Sequence, residues 1–402
     1  MDLRRFGPAS PGDLVPISGS DPIRGPWTHS AFVSHRLPDE TPALLPRTYR
    51  VVGDARAALA ALDSTARRLP NPSLLRRSTL QTEAQSTSAL EGTYAPLAEV
   101  LTADEEQPSS SDLREVLNYV TMADAAFSWV DQGRRLTPGM LCELQSILVA
   151  RTRSEGRSSG HLRDIQVVIG RREDAAPDML PVKAARFVPA PPGLDLESRL
   201  GDLLAWMDAE GQDEFDPVVS VALAHYQFET LHPFNDGNGR LGRLLTVLHL
   251  LKSGVLSEPT LTVSPWFEAR RSEYYDRLLA VSTDGDWDGF VRFFATGLHA
   301  SATQTHRRML ELVDVQRQLK DRVRDSRLRA ESAQSLVDYA IARPSFTARM
   351  VERDLHLSYA RANGLINQLI ALDVLAPVGG SDYRRRFFSP SVWRVLVGAD
   401  TN

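Results

Sequence analysis

The chain has 402 residues, of which 42% are hydrophobic and 24% charged, and its net charge is −5. That balance excludes a largely disordered chain and, at about 150 residues per domain, allows two or three domains with sizeable cores. No global basic field is present to hold nucleic acid, and the single cysteine, Cys142, excludes an internal disulfide and any multi-thiolate metal site.

The N-terminus carries Arg4 and Arg5 but then meets Pro8, Pro11 and Pro16 without an apolar stretch, unlike a secretory signal. The longest apolar run, near Leu244–Leu251, is far short of the roughly 20 residues needed to cross a bilayer, so a soluble, cytoplasmic protein without membrane contact is expected. Residues 1–50 hold eight of the 25 prolines and predict an extended or partly disordered arm. Residues 51–110 form an N-terminal helical region, with helices over about 54–69 and 73–90, the second stopped by Gly92. Residues 111–325 read as a helical core, with helices near 111–131, 138–150, 195–210, 216–231, 240–252, 265–283 and 286–325. The last of these is expected to break, because it passes through arginine-rich polar turns. Between 153 and 193, glycine, proline and β-prone pieces at 165–169 and 185–188 predict a β-hairpin flap. Residues 329–402 read as a small winged helix-turn-helix, with three helices followed by Gly379-Gly380 and two strands.

Chemistry concentrates in His232-Pro-Phe-Asn-Asp-Gly-Asn-Gly-Arg240, followed by Arg243. Asp216 and Pro217 start a helix that Pro233 cannot continue, which sets His232 at its exit. Gly237 and Gly239 allow backbone conformations in which N–H groups converge, and the next helix adds free donors and a positive dipole end. Arg240 and Arg243 share one helix face, and Leu244, Leu248 and Leu251 another. Together these residues describe an anion cradle with two guanidiniums, a carboxylate at Asp236 and an imidazole at His232. A loop carboxylate suits Mg²⁺, guanidiniums suit phosphate, and a histidine of near-neutral pKa suits removal of a hydroxyl proton. The set points to transfer from a nucleoside triphosphate without a P-loop.

The string resembles the signature H-x-F-x-[DE]-G-N-G-R-x-x-R of Fic-domain proteins, the protein AMP-transferases, at every specified position, and is unlike the Doc-type kinases. The resemblance implies a mainly α, Fic-type helical core with a β-hairpin flap. It implies that His232 is the general base, Asp236 the Mg²⁺ ligand and Phe234 the loop's anchor. Gly237, Asn238 and Gly239 would form the anion hole for the α-phosphate, and Arg240 and Arg243 would hold the outer phosphates. AMP would move from ATP to a Ser, Thr or Tyr hydroxyl of a target protein, or of the chain itself. An extended target segment would pair with the flap edge.

Thr87-Ser-Ala-Leu-Glu91-Gly92 resembles the inhibitory-helix motif [ST]-x-x-x-E-[GN] of the same family. The resemblance implies that Glu91 pairs with Arg243 and so misplaces ATP. Pro265–Tyr275 resembles the segment after the active-site helix, although Arg270 stands where many members have Asn; Tyr274 and Tyr275 are candidates for adenine contact. In the flap, Phe187, Val188, Pro189 and Pro191 resemble the family's Val-Pro-Pro stretch, and Arg163 after Gly160 holds the usual place before the hairpin. His225 reads as a core or supporting histidine. In the tail, Arg361 and Arg384-Arg385-Arg386 are candidates for phosphate contact, yet residues 329–402 carry only nine Arg against seven acids. Three functions stay open: an AMP-transferase restrained by Glu91, a de-AMPylase using the same site, and a DNA-binding regulator that senses nucleotide. A homodimer is also expected.

Overall fold

The computed structural model describes the chain apart from residues 69–72, 104–106, 209–214, 327, 329–330, 379–384 and 399–402, and the backbone alone for 73–75. After a 3-10 turn at Leu3–Arg5 come strands β1 (Gly12–Asp21) and β2 (Gly25–Ser34). Helices α1 (Pro46–Arg68), α2 (Ser73–Leu90), α3 (Leu97–Thr102), α4 (Ser111–Asp131) and α5 (Pro138–Val149) follow. The flap contains β3 (Ile169–Arg171), the one-turn α6 (Pro181–Ala184) and β4 (Ala185–Phe187). Next are α7 (Leu194–Asp208), α8 (Pro217–Leu231), α9 (Asn238–Lys252), α10 (Ser264–Glu268), α11 (Arg271–Asp284) and α12 (Trp287–Asp325). The tail holds α13 (Glu331–Ala342), β5 (Phe346–Thr347), α14 (Ala348–Asp354), α15 (Tyr359–Ala371), β6 (Ala376–Pro377), β7 (Arg386–Phe388) and α16 (Pro390–Val397). Among the described residues no helix is long and apolar enough to cross a membrane.

Contacts divide the chain into two compact units that are not consecutive stretches. One comprises Met1–Ala60, Thr121–Leu256 and Trp266–Ala300; the other comprises Ala61–Val120, Ser257–Pro265 and Ser301–Asn402.

The first unit is built on α8 and α9. Asp216 caps α8 by accepting the Val218 N–H, Pro217 fills the first turn, and thirteen residues of each helix are buried. A helix buried on every side belongs in a core, and α7 covers α8. Gly242 lets the pair close up: a Cβ there would lie 2.3 Å from Glu229 Oε1 and 3.0 Å from the Phe228 ring.

The N-terminal arm is extended, as its prolines require, but it is paired. β1 and β2 form an antiparallel ribbon, Gly12 opposite Ser34 through Asp21 opposite Gly25. Asp21 closes the turn by accepting from the Ile23 and Arg24 N–H groups at 2.9 Å each. A two-stranded ribbon is marginal alone, and this one is anchored by burying Phe32 against Phe187 and Val188 of the flap. The flap hairpin is also shifted from expectation: Ile169 pairs with Phe187 and Arg171 with Ala185, while residues 165–168 carry no strand.

In α12, whose residues fall in both units, the expected break is absent. Phe290, Phe294, Leu298, Ala302, Met309, Leu312, Leu319 and Val323 are buried at helical spacing along α12. The arginine-rich turns lie on the opposite face, where charge does not end a helix. Three helices (α13–α15) and a three-stranded antiparallel sheet of order β5-β7-β6 form the tail, with α16 as an addition. Gly379, Gly380 and Arg384 lie outside the described residues. Arg386 is engaged inside the tail, its Nε donating to Ser345 Oγ at 2.8 Å, so the expected basic run is not wholly available for phosphate.

Within the second unit Glu83 of α2 is 2% exposed and accepts from the Val263 N–H at 2.9 Å, the Ser264 N–H at 3.0 Å and the Ser264 hydroxyl. Glu83→Ala would strand three buried donors and should lower stability by roughly 3 kcal/mol or more. Glu83→Gln, which keeps an acceptor oxygen, should lose less; denaturant titration of both variants measures the difference.

Candidate active site

The loop of residues 232–237 joins the end of α8 to the start of α9. His232 itself takes the left-handed conformation, φ 48° and ψ 60°, and its N–H closes the helix on the Phe228 carbonyl. An L residue with a side chain adopts that region at a cost, so the surroundings must hold it there. They do so from the flap side: the His232 carbonyl accepts from Arg163 Nε at 2.8 Å. The ring is half-buried, with Nδ1 facing the Glu229 carbonyl at 3.4 Å. A carbonyl can only accept, so this contact favours the tautomer with the proton on Nδ1 and Nε2 as the basic nitrogen.

Phe234 is fully buried and anchors the loop. Asn238 staples it closed: its Oδ1 accepts from the Phe234 N–H and its Nδ2 donates to the Phe234 carbonyl, both at 2.8 Å. The Asn238 side chain is thus committed to the loop. Gly237, at φ 89°, makes the turn into α9, but its N–H donates to Asp236 Oδ1 at 2.7 Å. Gly239 lies inside α9 and uses no left-handed conformation. The donors aimed along the helix axis are accordingly the first-turn amides from Asn238 onward, which have no partner within a helix.

Arg240 and Arg243 are each 1% exposed, far from the two solvated side chains an ordinary loop would carry. Arg240 Nη2 meets Asp236 Oδ1 at 3.1 Å. Burial pushes the Asp236 carboxyl up, but the Arg240 charge, the Ser154 hydroxyl and the Gly237 N–H outweigh it, and the group is held below its ordinary range. Asp236 is therefore an ionised, half-exposed oxygen donor. Among the described residues no group of three or more His, Cys, Asp and Glu is placed to hold a metal. That donor set fits Mg²⁺, which binds through one or two carboxylates plus phosphate oxygens and water.

His225 and Tyr274 are core residues. The Tyr274 hydroxyl lies 2.7 Å from His225 Nε2, and His225 Nδ1 lies 3.2 Å from the Gly242 carbonyl. Tyr274 has no exposed surface, which corrects its expected place against adenine: its hydroxyl is engaged and its ring packs on Phe267 and Tyr275. Tyr275 is half-buried beside Arg271 and keeps an accessible edge. Burial first, then the Arg243 charge, pull His225 down to about 3; burial pulls His249, also on this helix pair, down to about 4. In the other unit, Thr87 is buried in α2, while Glu91 is exposed just beyond its end, where Gly92 turns the chain at φ 88°.

The sequence reading passed over Gln145 of α5. It is 3% exposed, donates to the Asp236 carbonyl at 3.3 Å and accepts from the Gly160 N–H at 2.7 Å. A glutamine on the apolar stripe of Leu141, Leu144 and Leu148 was its visible signal.

The Fic/DOC family N-terminal profile matches residues 49–128, and the Fic/DOC family profile matches residues 135–250. The protein adenylyltransferase fic-1 of Caenorhabditis briggsae is 35% identical over 143 residues, 36% of this chain and 24% of that protein. The protein adenylyltransferase Fic of Aedes aegypti is 38% identical over 108 residues, 27% of this chain and 20% of that protein. The matched stretches thus span about a quarter or less of these curated relatives. Among solved structures, a Fic family protein from Desulfovibrio desulfuricans matches in fold with a TM-score of 0.54 at 21% identity, covering 88% of this chain and 98% of that one.

Two outcomes follow from this geometry. A Cβ at Gly237 would meet Leu148 Cδ2 at 2.7 Å, so Gly237→Ala should destabilise by roughly 1–3 kcal/mol in denaturant titration. His225 and His249 stay neutral in the fold while the unfolded chain takes protons below about pH 6.5. The unfolded state then binds more protons, so the stability these groups contribute above pH 6.5 is lost as pH falls toward 4, by up to about 1.4 kcal/mol per pH unit per group. Denaturation midpoints at pH 7.5, 6 and 5 should fall in that order, with a shallower slope in His249→Gln.

Proposed function

Because this chain is a Fic-domain protein of the Fic/DOC family, we propose that it is a protein adenylyltransferase, moving AMP from ATP to a hydroxyl of a target protein. The observation that carries the reading is His232, with Nε2 favoured as its basic nitrogen, on the loop that leads into the first turn of α9 and its two buried arginines. The names of the curated relatives point the same way.

In this reading the target hydroxyl oxygen attacks the α-phosphorus, and its proton passes to His232 Nε2. The bond from the α-phosphorus to the bridging oxygen breaks, and pyrophosphate leaves. The first-turn amides of α9 bind the α-phosphate oxygens, and Arg240 and Arg243 neutralise the outer phosphates. Asp236 would hold Mg²⁺, which supplies charge neutralisation on the phosphates. The half-buried Tyr275 serves as the adenine-side aromatic. A target segment adds to the flap as an extended strand, which places a Ser, Thr or Tyr side chain by main-chain register. Glu91 acts as a brake on Arg243; the support is its motif and its place beyond the end of α2.

Incubation with α-labelled and γ-labelled ATP tests the reading. Label from α-labelled ATP should appear on protein, rise with Glu91→Gly and fall by at least about 100-fold when His232→Ala is added. Transfer of the γ-label instead would replace the reading with a kinase. Label that does not rise with Glu91→Gly would remove the brake and leave the transferase.

A further inference from the structure

Arg163 stands at the base of the flap and is 2% exposed. All of its side-chain hydrogen bonds end on backbone carbonyls. Nε donates to His232 at 2.8 Å, Nη1 to Ile165 at 3.2 Å, and Nη2 to Leu231 at 3.4 Å and to Ala190. Its own N–H donates to the Pro233 carbonyl at 2.9 Å. A buried cation usually needs a carboxylate; here it has the negative end of α8 and a ring of carbonyl dipoles. Burial lowers it only to about 10, so it stays charged at neutral pH.

The partners fall in two groups. Leu231, His232 and Pro233 belong to the end of α8 and the loop, and Ile165 and Ala190 to the two feet of the flap. The anion-binding end of the loop is held separately, by Asn238 on Phe234 and by Gln145 on Asp236. We infer that Arg163 is a positioning residue: one guanidinium fixes the left-handed backbone of His232 and the feet of the flap together, so that a strand docked on the flap and the base keep a single register. This inference rests on the reading of His232 as the base.

Lysine keeps the charge but offers a point-like ammonium in place of the planar fork, and cannot span both groups of carbonyls. In the Glu91→Gly background, Arg163→Lys should therefore lower kcat by up to about 100-fold while the KM for ATP stays within about twofold, because misplacement falls on the base and not on the phosphate cradle. Gln166→Ala is the control. It frees the Pro189 carbonyl of the flap, bonded at 2.9 Å, without touching the loop, and should spare most of kcat. A full rate in Arg163→Lys would show that charge alone suffices and overturn the inference. So would a rise in the ATP KM parallel to the loss in kcat.

Amide hydrogen exchange gives a readout independent of activity. In the wild-type chain, segments 185–190 and 228–235 should open with the same free energy and denaturant slope, and Arg163→Lys should loosen both while leaving 241–250 protected. Separate openings in the wild type overturn the inference even if the variant fails to fold. If the Glu91→Gly parent transfers no label, the adenylyltransferase reading fails, and exchange alone decides the coupling.

Discussion

The end of α8 is a helix terminus inside a protein core, and its last carbonyls cannot turn to water. The site grows out of the way they are satisfied. Phe228 accepts the His232 N–H, Glu229 faces His232 Nδ1, and Leu231 and His232 itself accept from Arg163. A glycine in the left-handed position would have ended the helix with less strain but would have carried no imidazole. The residue that terminates the helix is thus also the one with chemistry to offer. The strain of its backbone is balanced by a buried guanidinium instead of by solvent.

Electrostatics follow from that burial. Arg163, Arg240 and Arg243 all lie on the α8–α9 junction or at its edge, each almost without exposed surface. In such surroundings charge is screened weakly, and the positive end of α9 adds to the field. The same field helps to hold His225 neutral, since burial and then the Arg243 charge both penalise its protonation. Asp236 responds in the opposite sense and stays ionised, as a carboxylate beside a buried arginine should. The junction therefore concentrates positive charge around one ionised carboxylate.

Much of this was legible in the residues. The helices at 73–90, 111–131 and 216–231 follow from caps, prolines and apolar spacing, and the loop of 232–243 is a dense signature. What escaped were long-range hydrogen bonds. The Gly237 N–H and the Asn238 side chain close the loop on Asp236 and Phe234, one and four residues away, but Gln145 reaches the Asp236 carbonyl from 91 residues away, which no local spacing shows. The β1–β2 ribbon was hidden by its prolines, which forbid helix but are tolerated on an edge strand. The unbroken α12 follows from the buried stripe behind its arginines, which their local charge does not reveal. Glu83 was missed for a related reason: a lone acid on a helix reads as solvated until the segment it binds, 180 residues away, is known.

The two histidines of α8 and its exit show how one sequence separates structure from chemistry. His225 and His232 are seven residues apart and differ in what faces them. His225 has both nitrogens engaged, against the Gly242 carbonyl and the Tyr274 hydroxyl, inside a cluster of Phe267, Tyr274 and Phe294. Held neutral in this way, it can neither take nor give a proton near neutral pH, and its work is to join α8, α9 and α11. His232 lies one step past the helix, where Pro233 stops the chain from continuing and the ring keeps solvent on one side. Were the helix one turn longer, His232 would point along a buried face and become a second His225. The position of Pro233, and the guanidinium that holds the carbonyl before it, keep the imidazole half-exposed at the exit of α8.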